Sequence, residues 1–198
     1  MTTGIIGGTF DPVHTGHLIA AEHARVKLGL TEVIFMPAGQ PWFKANKKIT
    51  SAEHRVEMVR LAISTNPYFK LCTVETERIG PSFTIDTMTE LADKKEIVNP
   101  YFIIGSDSLE GYPFWKEPVK LLKLCRLVVV SRSGSALIDL NSLEVVVPGL
   151  LDNITLLDMP VIDISSSGIR RKIAQKESIG YLVPAEVQQY IVKYMLYL

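Results

Sequence analysis

The strongest constraint on this chain is an alternation that runs along most of its length. Short, continuously apolar runs end in glycine or polar residues, and each gives way to a stretch whose apolar positions recur with helical period. Thr3–Ile6, Glu32–Pro37, Phe69–Val74, Tyr101–Ile104 and Leu127–Val130 are the predicted strands. Gly16–Leu28 is a predicted helix, with Leu18, Ile19, Ala21, Ala24, Val26 and Leu28 at helical spacing and Gly29 as its terminating glycine. Thr50-Ser51-Ala52-Glu53 has the spacing of a capping box ahead of the apolar series Val56 to Ile63. Ser82–Ala92, Ser165–Gln175 and Pro184–Leu196 are further predicted helices, the last with proline at its start. Residues 133–160 are predicted to combine a loop with one or two short strands.

Strands and helices in this order specify an α/β fold: a doubly wound, Rossmann-like parallel sheet of about five or six strands, with helices on both faces. No repeat, low-complexity stretch or linker interrupts it. One domain over residues 1–198 is therefore expected, with residues from about 163 to 198 as a small C-terminal helical extension.

Composition excludes several classes of function. Lysine plus arginine and aspartate plus glutamate balance at 21 each, which leaves no excess cation for a nucleic-acid footprint or an anionic membrane surface. No apolar run approaches the ~20 residues of a membrane span. The first residues, MTTGIIGGTF, lack a basic start and a signal-length apolar stretch, so a cytoplasmic location is expected. Cys72 and Cys125 each sit in an apolar stretch and are expected to be thiols, in neither a disulfide nor a metal site.

In sheets of this class, ligands sit beyond the carboxyl ends of the strands, where the strand order reverses. Gly7–His17, Gly39–Lys44, Gly105–Trp115 and Ser131–Gly134 all follow predicted strands and are expected to converge on one crevice. Gly7-Gly8 lets the backbone approach a ligand closely, and the helix that follows aims its N–H groups and positive dipole end at the same place. His14 and His17, three residues apart at that helix start, can both reach an anion held there. Neither the Gly-x-x-x-x-Gly-Lys-Ser/Thr loop nor Gly-x-Gly-x-x-Gly occurs, and no third metal ligand stands at diagnostic spacing. A second segment, Ile164-Ser165-Ser166-Ser167-Gly168-Ile169-Arg170, places hydroxyls at a helix start and a cation one turn later. It suits phosphate, although a capping serine and a solvated arginine would give the same pattern.

Together these stretches carry a resemblance. Gly7-Gly8-Thr9-Phe10-Asp11-Pro12-Val13-His14-Thr15-Gly16-His17 resembles the first signature of the nucleotidyltransferase superfamily with a His-x-Gly-His motif, and Ile164–Arg170 resembles its second. Ser82-Phe83-Thr84-Ile85-Asp86-Thr87, Ile104-Gly105-Ser106-Asp107 with Trp115, Ser131-Arg132-x-Gly134 and Tyr181-Leu182-Val183-Pro184 are similar to motifs of the bacterial nicotinate-nucleotide adenylyltransferase family. The likeness spans essentially the whole chain.

The resemblance implies a site. His14, His17 and Arg170 would act on the phosphates of ATP as catalytic residues, and Gly7, Gly8, Thr9, Phe10, Gly16, Gly105, Asp107, Ser165 and Ser166 would bind ATP. Lys44, Thr84, the backbone near Tyr112, Trp115 and Arg132 would hold the acceptor, nicotinate mononucleotide. Lys44 also reads as part of a solvated basic loop with Lys47 and Lys48, Trp115 as an ordinary packed aromatic, and Asp86 and Thr87 as contacts within a helix start. No protein-bound metal is expected; Mg²⁺ would arrive bridging the oxygens of the triphosphate. One segment departs from the family pattern: Gln40-Pro41-Trp42-Phe43-Lys44 lacks the expected histidine. Trp42 and Phe43 then suit a hydrophobic lid or packing against a second copy in a homo-oligomer.

The expected reaction is in-line attack by the acceptor phosphate on the α-phosphorus of ATP, with pyrophosphate leaving. Two alternatives stay open: the same chemistry on nicotinamide mononucleotide or another phosphorylated acceptor, and a nucleotide-binding protein without catalysis.

Overall fold

The computed structural model describes residues 2–42, 49–94, 97–132, 139–160 and 162–198. Six parallel strands form the central sheet: β1 (Thr3–Gly8), β2 (Glu32–Pro37), β4 (Phe69–Leu71), β6 (Tyr101–Gly105), β7 (Arg126–Arg132) and β8 (Ile154–Met159), in the order β4-β2-β1-β6-β7-β8. From β1 the chain winds outward through β2 to β4, then returns to the other side of β1 and continues through β6, β7 and β8. The reversal falls between β1 and β6, which pair from Gly4 with Tyr101 to Ile6 with Ile103. A second, two-stranded parallel pair joins β3 (Gln40–Pro41) to β5 (Pro81–Ser82) beyond the end of β2.

The continuous apolar runs are explained by burial on both faces. Along each strand, alternate residues enter opposite cores. Ile6, Phe35, Ile103, Val128 and Val130 pack with α1 (Thr15–Leu28), α2 (Ala52–Ile63), α8 (Ser166–Ala174) and α9 (Ala185–Lys193). Ile5, Ile34, Phe102, Ile104, Leu127 and Val129 face α4 (Thr84–Asp93), α5 (Ser106–Glu110), α6 (Pro118–Leu121) and α7 (Leu140–Val146). The strand period of two thus builds two cores from one uninterrupted apolar sequence.

Three local expectations need correction. The predicted strand 69–74 stops at Leu71, and a short helix, α3 (Val74–Glu77), follows. The 133–160 stretch contains helix α7 as well as strand β8, and the Asp139 side chain caps α7 by accepting the Asn141 and Ser142 N–H groups at 3.1 Å each. The capping box at 50–53 does not form: Ser51 is the N-cap of α2 without a side-chain cap bond. Thr50 instead donates its N–H to Asp11 Oδ2 at 3.4 Å and offers its carbonyl to Arg55. Among the described residues, no helix is long and apolar enough to cross a membrane.

Candidate active site

A cavity of about 500 Å³ opens at the carboxyl ends of the strands, where the strand order reverses. One end is built by the turn from β1 into α1. Gly7 and Gly8 close the strand, and a Cβ on either would come within 3.0 Å of an aromatic ring, Phe102 or Phe10. The bare backbone is what fits. His14 is the N-cap of α1 and His17 its third residue. The His14 N–H donates to His17 Nδ1 at 3.1 Å, and the His17 N–H donates to the His14 carbonyl at 2.9 Å. The two imidazoles stack with centroids 3.7 Å apart, and the Phe10 ring meets His17 edge-on at 5.0 Å. Acceptance at Nδ1 leaves the proton of neutral His17 on Nε2, so this ring offers an N–H donor from its far side.

The helix start is anchored from the far end of the chain. Thr15 donates its N–H to the Leu182 carbonyl at 2.9 Å and its hydroxyl to the Tyr181 carbonyl at 3.0 Å. Gly16 lies between, lining the cavity; a Cβ there would stand 3.1 Å from His14 Nδ1. The second signature packs onto the first. Ser165 caps α8 by accepting the Gly168 N–H at 3.1 Å, and Ser166 donates to the Pro12 carbonyl at 2.8 Å. Arg170 Nη1 donates to the Asp11 carbonyl at 2.7 Å. Ser165 and Ser166 line the cavity; Arg170 is not among its lining residues.

The other end of the cavity is aromatic and carboxylate-flanked. Thr84, Trp115, Gly105 and Asp107 line it, as do Trp42 and Ser82. Trp115 lies against Tyr112 at 5.3 Å and edge-on to Phe102 at 6.1 Å; Trp42 is stacked with Phe83 at 6.3 Å. Tyr112 is fully buried and donates its hydroxyl to the Pro118 carbonyl at 3.0 Å, and burial raises its pKa far above the ordinary phenol value. Ile6, Met159, Ile162 and Ile164 add apolar lining, with Ile162 beside Gly16.

The structure therefore brings Gly7, Gly8, Thr9, His14, Gly16, His17, Thr84, Gly105, Asp107, Trp115, Ser165 and Ser166 to one cavity. Phe10 and Tyr112 belong to the packing beneath it. Lys44 and the side chain of Arg132 lie outside the described residues. Asp86 and Thr87 make contacts within the protein: Asp86 pairs with Lys116 at 2.8 Å, and Thr87 donates to Glu75 at 3.0 Å. Sequence reasoning missed Glu75 and Arg55. Glu75 lines the cavity at 5% exposure, and burial pushes its carboxyl above the usual range, opposed by hydrogen bonds from Thr87 and Ser82 and by the Arg78 charge. Arg55 is 1% exposed; burial holds its guanidinium below its ordinary pKa, and the nearby Asp11 charge works against that. The signal for Arg55 was present, since it shares the apolar stripe of Met58, Val59 and Ala62. Among the described residues, no cluster of three or more histidine, cysteine, aspartate or glutamate side chains could cage a metal ion.

A strand-glycine-helix anion site, with a hydroxyl-rich helix beside it in a doubly wound sheet, is the frame of a nucleotidyltransferase. The chain belongs to the cytidylyltransferase-like family, whose profile matches residues 5–172. Its relatives narrow the class to the nicotinate-nucleotide adenylyltransferases. It is 46% identical over 201 residues to a Dehalococcoides mccartyi protein named "Probable nicotinate-nucleotide adenylyltransferase", an alignment covering 100% of this chain and 97% of that one. A Roseiflexus protein of the same name is 44% identical over 194 residues, covering 98% and 96%. The fold is shared with Plasmodium falciparum nicotinic acid mononucleotide adenylyltransferase complexed with NaAD, at a TM-score of 0.80 and 22% identity over 99% of this chain and 97% of that chain.

Proposed function

We propose that this protein transfers the adenylyl group of ATP to nicotinate mononucleotide, giving nicotinate adenine dinucleotide and pyrophosphate. One observation carries the reading: a single cavity joins an imidazole-lined helix start to a pocket flanked by Trp115 and Thr84. A phosphate chain suits the first end and a pyridine ring the second, so two substrates can lie with their phosphates facing.

An oxygen of the acceptor phosphate attacks the α-phosphorus of ATP, a new P–O–P bond forms, and the bond to the bridging oxygen of the β-phosphate breaks. The attacking oxygen is already anionic at neutral pH, so catalysis rests on alignment and on charge stabilisation. His17 donates through Nε2–H to phosphate oxygens that gain charge, with His14 and the start of α1 beside it. Arg170 holds the phosphate tail with the donors not committed to the Asp11 carbonyl, alongside Ser165 and Ser166. Gly105 and Asp107 meet the nucleoside, Thr84 and the backbone near Tyr112 the pyridine carboxylate, and Trp115 the ring face. Lys44 serves the acceptor phosphate. Mg²⁺ enters as part of the substrate, on the triphosphate oxygens.

The test is pyrophosphate release from ATP and Mg²⁺ with either mononucleotide. Release with nicotinate mononucleotide, faster than with nicotinamide mononucleotide, is expected; the reverse order would reassign the acceptor, and no release with either would overturn the reading. His17→Ala should lower kcat by about 10²-fold or more, as removal of a transition-state donor does, with a much smaller loss of ATP affinity. Equal losses in both would mean that His17 binds only the ground state.

A further inference from the structure

Arg55 reaches two turns that line the cavity, at Thr9 and at Ala38. Its Nη1 donates to the Thr9 carbonyl at 2.8 Å and to the Ala38 carbonyl at 2.6 Å. Nη2 donates to the Gly39 carbonyl at 2.9 Å, and Nε to the Thr50 carbonyl at 2.9 Å. Thr9 belongs to the turn after β1; Ala38 and Gly39 belong to the turn after β2. From the acceptor side, the Ser82 hydroxyl accepts the N–H groups of Gly39 at 2.9 Å and of Gln40 at 3.2 Å.

These bonds fall on the same two peptide units. The Ala38 carbonyl and the Gly39 N–H share one rigid plane and point opposite ways, as do the Gly39 carbonyl and the Gln40 N–H. Arg55 holds the carbonyl edge of both planes and Ser82 the N–H edge of both. Ser82 closes β5 and stands two residues ahead of Thr84, the start of α4. The turn is also sterically fixed, because a Cβ on Gly39 would come 2.1 Å from the Glu75 carbonyl oxygen.

We propose that Arg55 and Ser82 are positioning residues that set the alignment of the two half-sites, linking the phosphate turn at Thr9 to the acceptor wall at Thr84 through the Ala38–Gln40 backbone. This rests on the reading of the cavity as an adenylyl-transfer site. Planar guanidinium geometry is required, since one ammonium cannot span four carbonyls on three segments. A ground-state pocket tolerates slack between its halves, whereas in-line attack does not: a shift of about 1 Å can cost on the order of 10²-fold in rate.

Two variants and two readouts test this. Ser82→Ala keeps the linkage testable where Arg55→Lys does not fold. In folded protein, each is expected to lower kcat at saturating substrates at least tenfold, with each KM changed less than about threefold. The double variant should lose less than the product of the two factors, because both residues hold the same peptides. Independently of turnover, Mg²⁺·ATP should slow amide hydrogen exchange at residues 38–42 of the unaltered protein, and this slowing should disappear in Arg55→Lys or Ser82→Ala. An unaltered kcat in both variants, or no ATP effect on exchange at 38–42 in the unaltered protein, overturns the inference. Absence of pyrophosphate release from the unaltered protein overturns the adenylyl-transfer reading instead, and the exchange experiment still decides whether the two turns are linked.

Discussion

Glu75 brings a carboxyl group into the wall of the cavity, where water reaches little of it. Burial raises its pKa above the 4.5 of an exposed glutamate, and the bonds from Thr87 and Ser82 only partly oppose this. A raised folded-state value means that the folded protein holds a proton which the unfolded chain would release. The stability it contributes is therefore complete below about 4.5 and is lost as pH rises through the folded-state value. Glu75→Gln keeps an oxygen for the Thr87 hydroxyl and removes the titration. Its melting temperature, relative to the unaltered protein, should rise as pH increases from 5 toward 8. Parallel melting curves across that range would show that Glu75 does not titrate there in the folded protein. Glu75 was hidden in the sequence by its neighbours, since Phe69-Lys70-Leu71-Cys72-Thr73-Val74 reads as one strand and draws attention away from the turn after it. Arg55 was more legible, because a charged residue in an apolar helix stripe requires a buried polar partner.

At the scale of elements, the C-terminal turn reaches back to the first signature. The Tyr197 hydroxyl donates to Asp11 Oδ1 at 2.7 Å, and its own ionisation is held far up by burial and by the Asp11 charge. Asp11 is 4% exposed, so loss of that donor leaves a buried carboxylate short of a partner. Tyr197→Phe should cost about 1–3 kcal/mol, a fall of roughly 2–12 °C in melting temperature for a chain of this size. An unchanged melt would mean that water replaces the hydroxyl at no cost. Such long-range contacts mark where sequence reading stops. Strands β1, β2, β6 and β7 were legible because parallel strands buried on both faces must be apolar throughout. Helices α1 and α8 were legible from periodicity, glycine and hydroxyl caps. Helix α7 was not: Leu140-Asn141-Ser142-Leu143-Glu144-Val145-Val146 ends in exposed β-branched residues, and its capping aspartate lies just ahead of them. The capping box at Thr50–Glu53 failed because Asp11, far away in sequence, claims the Thr50 N–H, and the buried Arg55 side chain claims its carbonyl. The histidine pair was legible as chemistry, but its mutual hydrogen bonds, which assign the His17 tautomer, depend on the φ and ψ of an N-cap that only the fold supplies.

Over the whole molecule, the cavity draws on both cores. The α1 and α8 walls belong to the core on one sheet face, and Thr84, Trp115 and Asp107 stand on elements packed against the other. A ligand that fills the cavity from end to end therefore bears on both layers of helices at once. ATP with Mg²⁺ at one hundred times its dissociation constant should stabilise the fold by about 2.7 kcal/mol through binding linkage alone. For a chain of this size, that is a rise of roughly 5–10 °C in melting temperature. Nicotinate adenine dinucleotide, at the same multiple of its own dissociation constant, should give the same rise, because linkage depends on occupancy and not on contact area. The shape of the transition carries the structural information. If the two cores melt as one cooperative unit, either ligand shifts a single transition intact. If they melt separately, two transitions appear, and the two ligands move them by different amounts according to how much of each core they touch. One calorimetric scan with ATP and one with the dinucleotide decide between these, and a single transition moving as a whole is the expected result.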